Sequence, residues 1–510
     1  MNTSGFMLPA PVQIALTAVA VVALFLLWRR VTRVGGRAAL IITAGFLLRA
    51  LAGQALFWIS WLHLPIARSL QLGGGFWFFA LDGPGYLSWA DLFARGTLHL
   101  DYPSRFFVQV FGVFVALFGP VASTVLLLNL AAYLATCAVI VAIARHRPSG
   151  ALFFSLAAVS FGPSAVLWSL QPLKDTLFML LVTLLILVSA WWKEARLAGA
   201  VAIVALAYGI SSLRWYFAIF VLCAWAVFAL WTVLTAPRRL RAALAAVVVF
   251  ALSLVAIWAG GRHDMPPLRF WRHSLVGRLA DIGYRFGTVP GATTIRPGPR
   301  VPRKEIAPPP AVPVPAPQPV AVAAPAPVPA PTPASKPKRK RTAPPPAPTP
   351  APVIAPVPAP VPVSVPVPVP APAPPPAEPP PPRIEADRFV ADAAATFLPR
   401  FVAEPLGLVR VGGGRGLWLF VDFDTLVFDV VLLFALVYAI RARARRPLFV
   451  MVALIFVVTA VPMVYVVNNF GTLFRLRAML YLLAALIPVT IAREAAEGAA
   501  AEDGRQSGSR

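Results

Sequence analysis

Apolar runs of about twenty residues recur along the chain, each long enough to cross roughly 30 Å of bilayer hydrocarbon as a helix. The pattern predicts spans over 12–28, 38–59, 121–144, 151–169, 175–192, 197–213, 215–234, 242–260, 417–440, 448–467 and 473–492. A shorter run, 106–118, is expected to be an interfacial or re-entrant helix. The expected fold class is an all-α polytopic membrane protein with about eleven transmembrane helices. It would carry a large first external loop over 60–105 and a disordered proline-rich external loop.

Composition agrees with this class. Of 510 residues, 59% are hydrophobic and only 13% are charged. A soluble domain cannot bury that much apolar surface, so lipid is part of the solvent. Both cysteines, Cys137 and Cys223, fall inside apolar runs and are read as core fillers, which leaves no disulfide framework and no cysteine metal site. The net charge of +25 does not call for a nucleic acid. Much of it lies in clusters at the ends of spans, where the preference of Lys and Arg for cytoplasmic loops accounts for it.

Those clusters orient the chain. Arg29, Arg30, Arg33 and Arg37 follow the first span, and no Lys or Arg precedes it. A secretory signal peptide has the reverse polarity. Arg145 and Arg147, then Lys193 and Arg196, then Arg238, Arg239 and Arg241, then Arg441, Arg443, Arg445 and Arg446 all fall on the same side. The expectation is a multi-pass protein of a bacterial inner (plasma) membrane, N-terminus periplasmic and C-terminus cytoplasmic.

The organisation expected is an N-terminal transmembrane region over 1–260, an external flank over 261–300 and a proline-rich linker over 301–382. An external amphipathic segment over 383–416, a C-terminal transmembrane region over 417–495 and a cytoplasmic tail over 496–510 follow. Repeats such as Pro-Ala-Pro-Val-Pro exclude helix and sheet, because proline lacks the N–H and fixes φ. Extended polyproline II is expected there, rising about 3.1 Å per residue. It is either an insertion without a partner or a rod reaching toward anionic cell-wall polymer. The basic knot Lys336, Lys338, Arg339, Lys340 and Arg341 lies inside it.

Ionisable groups at a membrane boundary are costly and call for an explanation. With this orientation, Asp82, Lys174, Asp175, Arg214, Arg475 and Arg477 gather on the external face, the side from which cations are normally depleted. An anionic ligand would compensate them. The structural alternatives are that Lys174 and Asp175 snorkel or pair with a neighbour, and that Asp82 only forms a turn. Arg475 and Arg477 would then pair with lipid headgroups or with Asp422, Asp424 or Asp429. His63, His99, His263 and His273 have no metal-ligand spacing.

Three stretches carry a resemblance: Asp82-Gly83-Pro84-Gly85-Tyr86 with Trp89-Ala90; Pro163-Ser164-Ala165-Val166-Leu167-Trp168-Ser169 leading to Lys174-Asp175; and Gly471-Thr472 leading to Arg475-Leu476-Arg477. Phe397-Leu398-Pro399-Arg400 fits beside them. Together they resemble the GT-C superfamily of membrane glycosyltransferases, most closely bacterial members of the glycosyltransferase family 39 group, the protein O-mannosyltransferase-like enzymes. The resemblance covers the membrane part, about 1–260 and 384–495, and not the proline loop. It implies a polyprenyl-phosphate-linked sugar as donor and an acceptor hydroxyl on the external side. Asp82 would be the catalytic base, and Tyr86, Lys174, Asp175, Arg214, Arg475 and Arg477 would bind substrate. The family often has paired acids in the first loop, whereas Asp82 has no acidic neighbour. A divalent cation is the one cofactor the resemblance raises, with Asp91 or Asp101 as candidate second ligand. Competing expectations are a polysaccharide polymerase or ligase, a transporter of lipid-linked sugars, and a scaffold that displays the proline rod.

Overall fold

The computed structural model describes residues 5–98, 102, 104–192, 196–264, 295–296, 394, 397–406, 410–411, 415–442, 446–466 and 470–507. The proline-rich linker, Asp101, His99, His273 and the amphipathic positions 389–393 lie outside the described residues. All described residues belong to one compact unit formed by 1–299 and 381–510.

The described chain is mostly helical, with four short strands in two antiparallel pairs. Its first helices are α1 (Ala10–Val31), α2 (Gly36–Trp61), α3 (Asp82–Ala94), α4 (Arg105–Phe118) and α5 (Thr124–Ile143). They are followed by α6 (Gly150–Phe161), α7 (Pro163–Leu167), α8 (Asp175–Trp191), α9 (Arg196–Leu234) and α10 (Arg239–Gly261). A helical turn α11 (Arg400–Ala403) precedes α12 (Arg415–Arg441), α13 (Pro447–Val466) and α14 (Phe470–Ser507). Three single 3-10 turns (Thr32–Val34, Arg68–Leu70 and Phe78–Ala80) and two antiparallel pairs, β1 (Gln71–Gly73) with β2 (Phe76–Trp77) and β3 (Ile295–Arg296) with β4 (Arg410–Val411), complete the list. Among the described residues seven helices are long and apolar enough to cross a membrane, and four apolar helices are shorter.

Two breaks shape the bundle. The expected single helix over 151–169 is divided at Gly162 into α6 and α7, because Pro163 has no N–H to continue the ladder. The carbonyls freed at the end of α6 are taken by a buried cation from α2. Arg49 donates to Ser160 O at 2.7 Å and Val159 O at 2.8 Å, and its guanidinium lies 4.2 Å from the Tyr133 ring centre. A cation at a helix C-terminus also meets the negative end of the helix dipole.

The second break is at Arg214, where φ −152° and ψ 83° interrupt the 39 residues of α9. Ile203, Ala207 and Ile210 from before the break line one small pocket with Ala218, Val221, Leu222 and Trp225 from after it. A straight helix would hold Ile203 and Trp225 roughly 33 Å apart. The chain therefore folds back at Arg214, and the two halves pack as a hairpin against α10, where Gly260 has no room for a Cβ beside Tyr208 O and Ser212 Oγ.

Helices α3 and α4 pack closely, since a Cβ on Gly112 would collide with the Phe93 ring and approach Ala90 O. The buried face of α4, Phe107, Val108, Phe111, Gly112, Val115 and Ala116, has helical spacing. Cys137 is buried as expected, whereas Cys223 is exposed on the outer face of α9, not in the core; both are free thiols. At the far end of α14, Arg493 donates to Ile143 O, the last carbonyl of α5, at 3.3 Å. Glu494 accepts from Leu448 N at the start of α13 at 2.9 Å. Each charge thus meets the helix end of opposite polarity.

Candidate functional site

Charged side chains from four separate stretches converge at one end of the bundle. Asp175 is the first residue of α8, where a carboxylate suits the helix N-terminus. The turn before it is held from α5: Asn129 Nδ2 donates to Ser169 O at 2.9 Å and Gln171 O at 3.1 Å. Asp175 is buried and accepts from two arginines. Arg214 Nη2 donates to Asp175 Oδ1, and Arg475 Nε donates to Asp175 Oδ2 at 2.7 Å. The break in α9 is what turns Arg214 toward α8, with its guanidinium 5.7 Å from the Phe178 ring centre and Nη1 3.2 Å from Tyr216 Oη.

Arg475 continues the chain of charges. Its Nη1 donates to Asp82 Oδ2 at 2.5 Å, and Asp82 begins α3 as Asp175 begins α8. The Asp82 side chain is half exposed at 52%, against 4% for Asp175. Arg475 Nη2 and Arg214 Nε meet no acceptor among the described residues. Buried donors without acceptors are costly, and such donors suit an anion.

Lys174 lies beside this chain and not in it. Its Nζ donates to Ser104 Oγ at 2.6 Å. Ser104 has a left-handed backbone, φ 58°, at the start of α4, and its N–H donates to Asp264 Oδ1 at 3.2 Å. Tyr86, one turn after Asp82 on α3, brings its hydroxyl within 3.4 Å of Ser104 Oγ. Burial pushes the Tyr86 phenol above its ordinary range, with the Arg475 charge opposing. Burial first, then the positive charges of Arg214 and Arg475, lower the Lys174 ammonium to about 7.

Of the residues singled out in the sequence, Asp82, Tyr86, Lys174, Asp175, Arg214 and Arg475 come together here. Arg477 does not take the same direction. Two residues on along α14, its side chain turns about 200° from that of Arg475. It is fully buried, donating to Asp424 Oδ2 at 3.4 Å and to Thr425 Oγ1. Asp424 Oδ1 in turn accepts from Ser164 N at the start of α7 at 2.7 Å. Asp422 accepts from Arg400 N at 2.7 Å and so seats the Phe397–Arg400 stretch on α12.

Asp91 pairs with Arg95 at 2.8 Å on α3. Nine residues of helix, roughly 13.5 Å of rise, separate it from Asp82, too far to share an ion. Among the described residues no group of three or more His, Cys, Asp or Glu could hold a metal. Ser104, Tyr216 and Asp264 were not foreseen. No motif marks Ser104, and Asp264 lies just past the end of α10 in a stretch with no periodicity.

No protein-family model, curated protein or solved structure matches this chain.

Proposed function

We propose that this chain is a membrane glycosyltransferase of the GT-C type, moving a sugar from a polyprenyl-phosphate donor to an acceptor hydroxyl on the periplasmic face of a bacterial inner membrane. The reading takes about eleven crossings, with the hairpin at Arg214 counted as two. The observation that carries it is the Asp82–Arg475 pair beside Lys174, Arg214 and Asp175: a half-exposed carboxylate next to three cations, two of which share one buried carboxylate.

The chemistry assigns these groups different work. The acceptor hydroxyl attacks the anomeric carbon and gives its proton to Asp82. The bond from that carbon to the phosphate oxygen breaks, and the phosphate leaves with the electron pair. Fixed cations stabilise that charge best when already aimed, and Asp175 holds both guanidiniums in place. The bidentate habit of arginine suits a phosphate.

A second reading is favoured by one feature, the helix broken at Gly162 with Asp424 at the start of α7. Broken helices of this kind occur in transporters, so a carrier of lipid-linked sugars is the alternative. Purified protein given a panel of polyprenyl-phosphate hexoses and a hydroxyl acceptor distinguishes the two. Sugar transfer that is lost in Asp82→Asn supports the enzyme. Movement of the intact lipid across proteoliposomes without transfer supports the carrier.

A further inference from the structure

We propose that Lys174 is a proton-carrying member of this site, taking up a proton when a phosphate-linked lipid binds and delivering it to the phosphate oxygen that leaves the sugar. The inference rests on the reading of the cluster as a polyprenyl-phosphate site.

The groups around Lys174 are Asp175 at the start of α8, Arg214 in α9, Arg475 in α14 with Asp82 of α3 on its far side, Asp264 after α10, and Tyr86 of α3, which reaches the same Ser104 hydroxyl. Three carboxylates stand against the three cations, but Asp175 and Asp82 are engaged by the two guanidiniums and Asp264 accepts from the Ser104 N–H, so among the described residues Lys174 has no carboxylate bonded to it. A guanidinium does not lose its proton in a protein, whereas a lysine does. Burial first, and then the two neighbouring guanidiniums, therefore weigh on Lys174, the one cation of the three that can shed its charge. Its hydrogen-bond partner, the Ser104 hydroxyl, is neutral and carries no compensating charge. The lowering of the ammonium to about 7 agrees with that geometry.

An arriving phosphodiester brings one negative charge and favours the ammonium form. In the transfer step the bond between the anomeric carbon and the phosphate oxygen breaks, and its electron pair stays on that oxygen. The Lys174 ammonium proton moves onto the oxygen and leaves the amine. The acceptor's proton goes separately to Asp82. The proton gained on binding so departs with the phosphomonoester product, and Lys174 is reset.

The test is titration calorimetry of the full chain in phosphatidylcholine nanodiscs, with farnesyl-phosphate hexose as the probe. This phosphodiester does not itself titrate near neutral pH. Runs at pH 7.5 in buffers of different ionisation enthalpy give the protons exchanged. The expected result is uptake of between a half and about three-quarters of a proton per molecule bound, with affinity falling roughly 2- to 8-fold from pH 7.5 to 8.5. Lys174→Arg, which keeps the charge, should bind with near-zero uptake. If that variant does not fold, the pH dependence of the wild-type affinity decides alone. Binding without uptake, or equal uptake by Lys174→Arg, overturns the proton role and leaves the site reading standing. No binding by the wild type overturns the site reading and this inference with it. Equal uptake with phosphatidylglycerol, also a phosphodiester, overturns the assignment to a lipid-linked sugar.

Discussion

Arg475 reaches across 393 residues of sequence to Asp82 and holds it at 2.5 Å. The same guanidinium is fixed from behind by Asp175, so one arginine joins a buried carboxylate to a half-exposed one. The two carboxylates therefore differ in what their removal should do.

For Asp82 the expected effect is on turnover. Asp82→Asn keeps the size and the helix-start preference but cannot take the acceptor's proton. Transfer should fall by roughly 10²–10⁴-fold. Thermal stability should change little, since Asp82 is half exposed, Arg475 keeps its buried partner Asp175, and a pair with one exposed member is worth about 0–1 kcal/mol. Near-normal transfer by purified Asp82→Asn would return Asp82 to the role of a turn former.

For Asp175 the expected effect is on the fold. Asp175→Asn leaves Arg214 and Arg475 buried without their shared counter-charge. Breaking a buried pair from one side costs about 3–5 kcal/mol. Thermal unfolding in detergent should drop clearly below that of Asp82→Asn. Equal melting temperatures for the two variants would contradict the buried clamp.

The grouping of Asp82, Lys174, Asp175, Arg214 and Arg475 was legible because each interrupts or ends an apolar run, where a charge is expensive. What the sequence hid was direction. Arg475 and Arg477 read alike as a basic pair, yet an offset of two residues on a helix sends them to different partners. Ser104 and Asp264 were hidden for another reason. Their place in the site comes from the packing of α4 and α10 and not from any local pattern. The division at Arg214 follows from span length, whereas the break at Gly162 leaves the apolar run over 151–169 uninterrupted and is signalled only by Pro163.

Orientation has a direct test. A reporter active only in the periplasm should be active when fused near Pro350, and one active only in the cytoplasm should be active when fused after Arg510. A silent periplasmic fusion would place the site on the other face. Removal of Pro308 to Pro381 should leave insertion and basal transfer intact, because a proline-rich segment contributes no packed core. Loss of insertion on that deletion would make the segment part of the membrane unit.

Arg477 gives the sharpest separation of binding from architecture. It and Asp424 are both fully buried, and Asp424 also receives the first turn of α7. The pair therefore locks α14 against α12 and α7, and it sets the rotation that aims Arg475 at Asp175. Arg477→Met and Asp424→Asn should each destabilise the fold, by about 3–5 kcal/mol for an orphaned buried charge. The double variant should lose less than the sum, since neither charge is then left alone. Arg475→Lys should behave differently, melting near the wild type but binding the phosphate lipid more weakly, because the planar fork is gone. The measurements are melting temperature and prenyl-phosphate affinity on the same four preparations. Full stability with weakened affinity in Arg477→Met would put Arg477 in contact with the ligand and overturn its role as a lock.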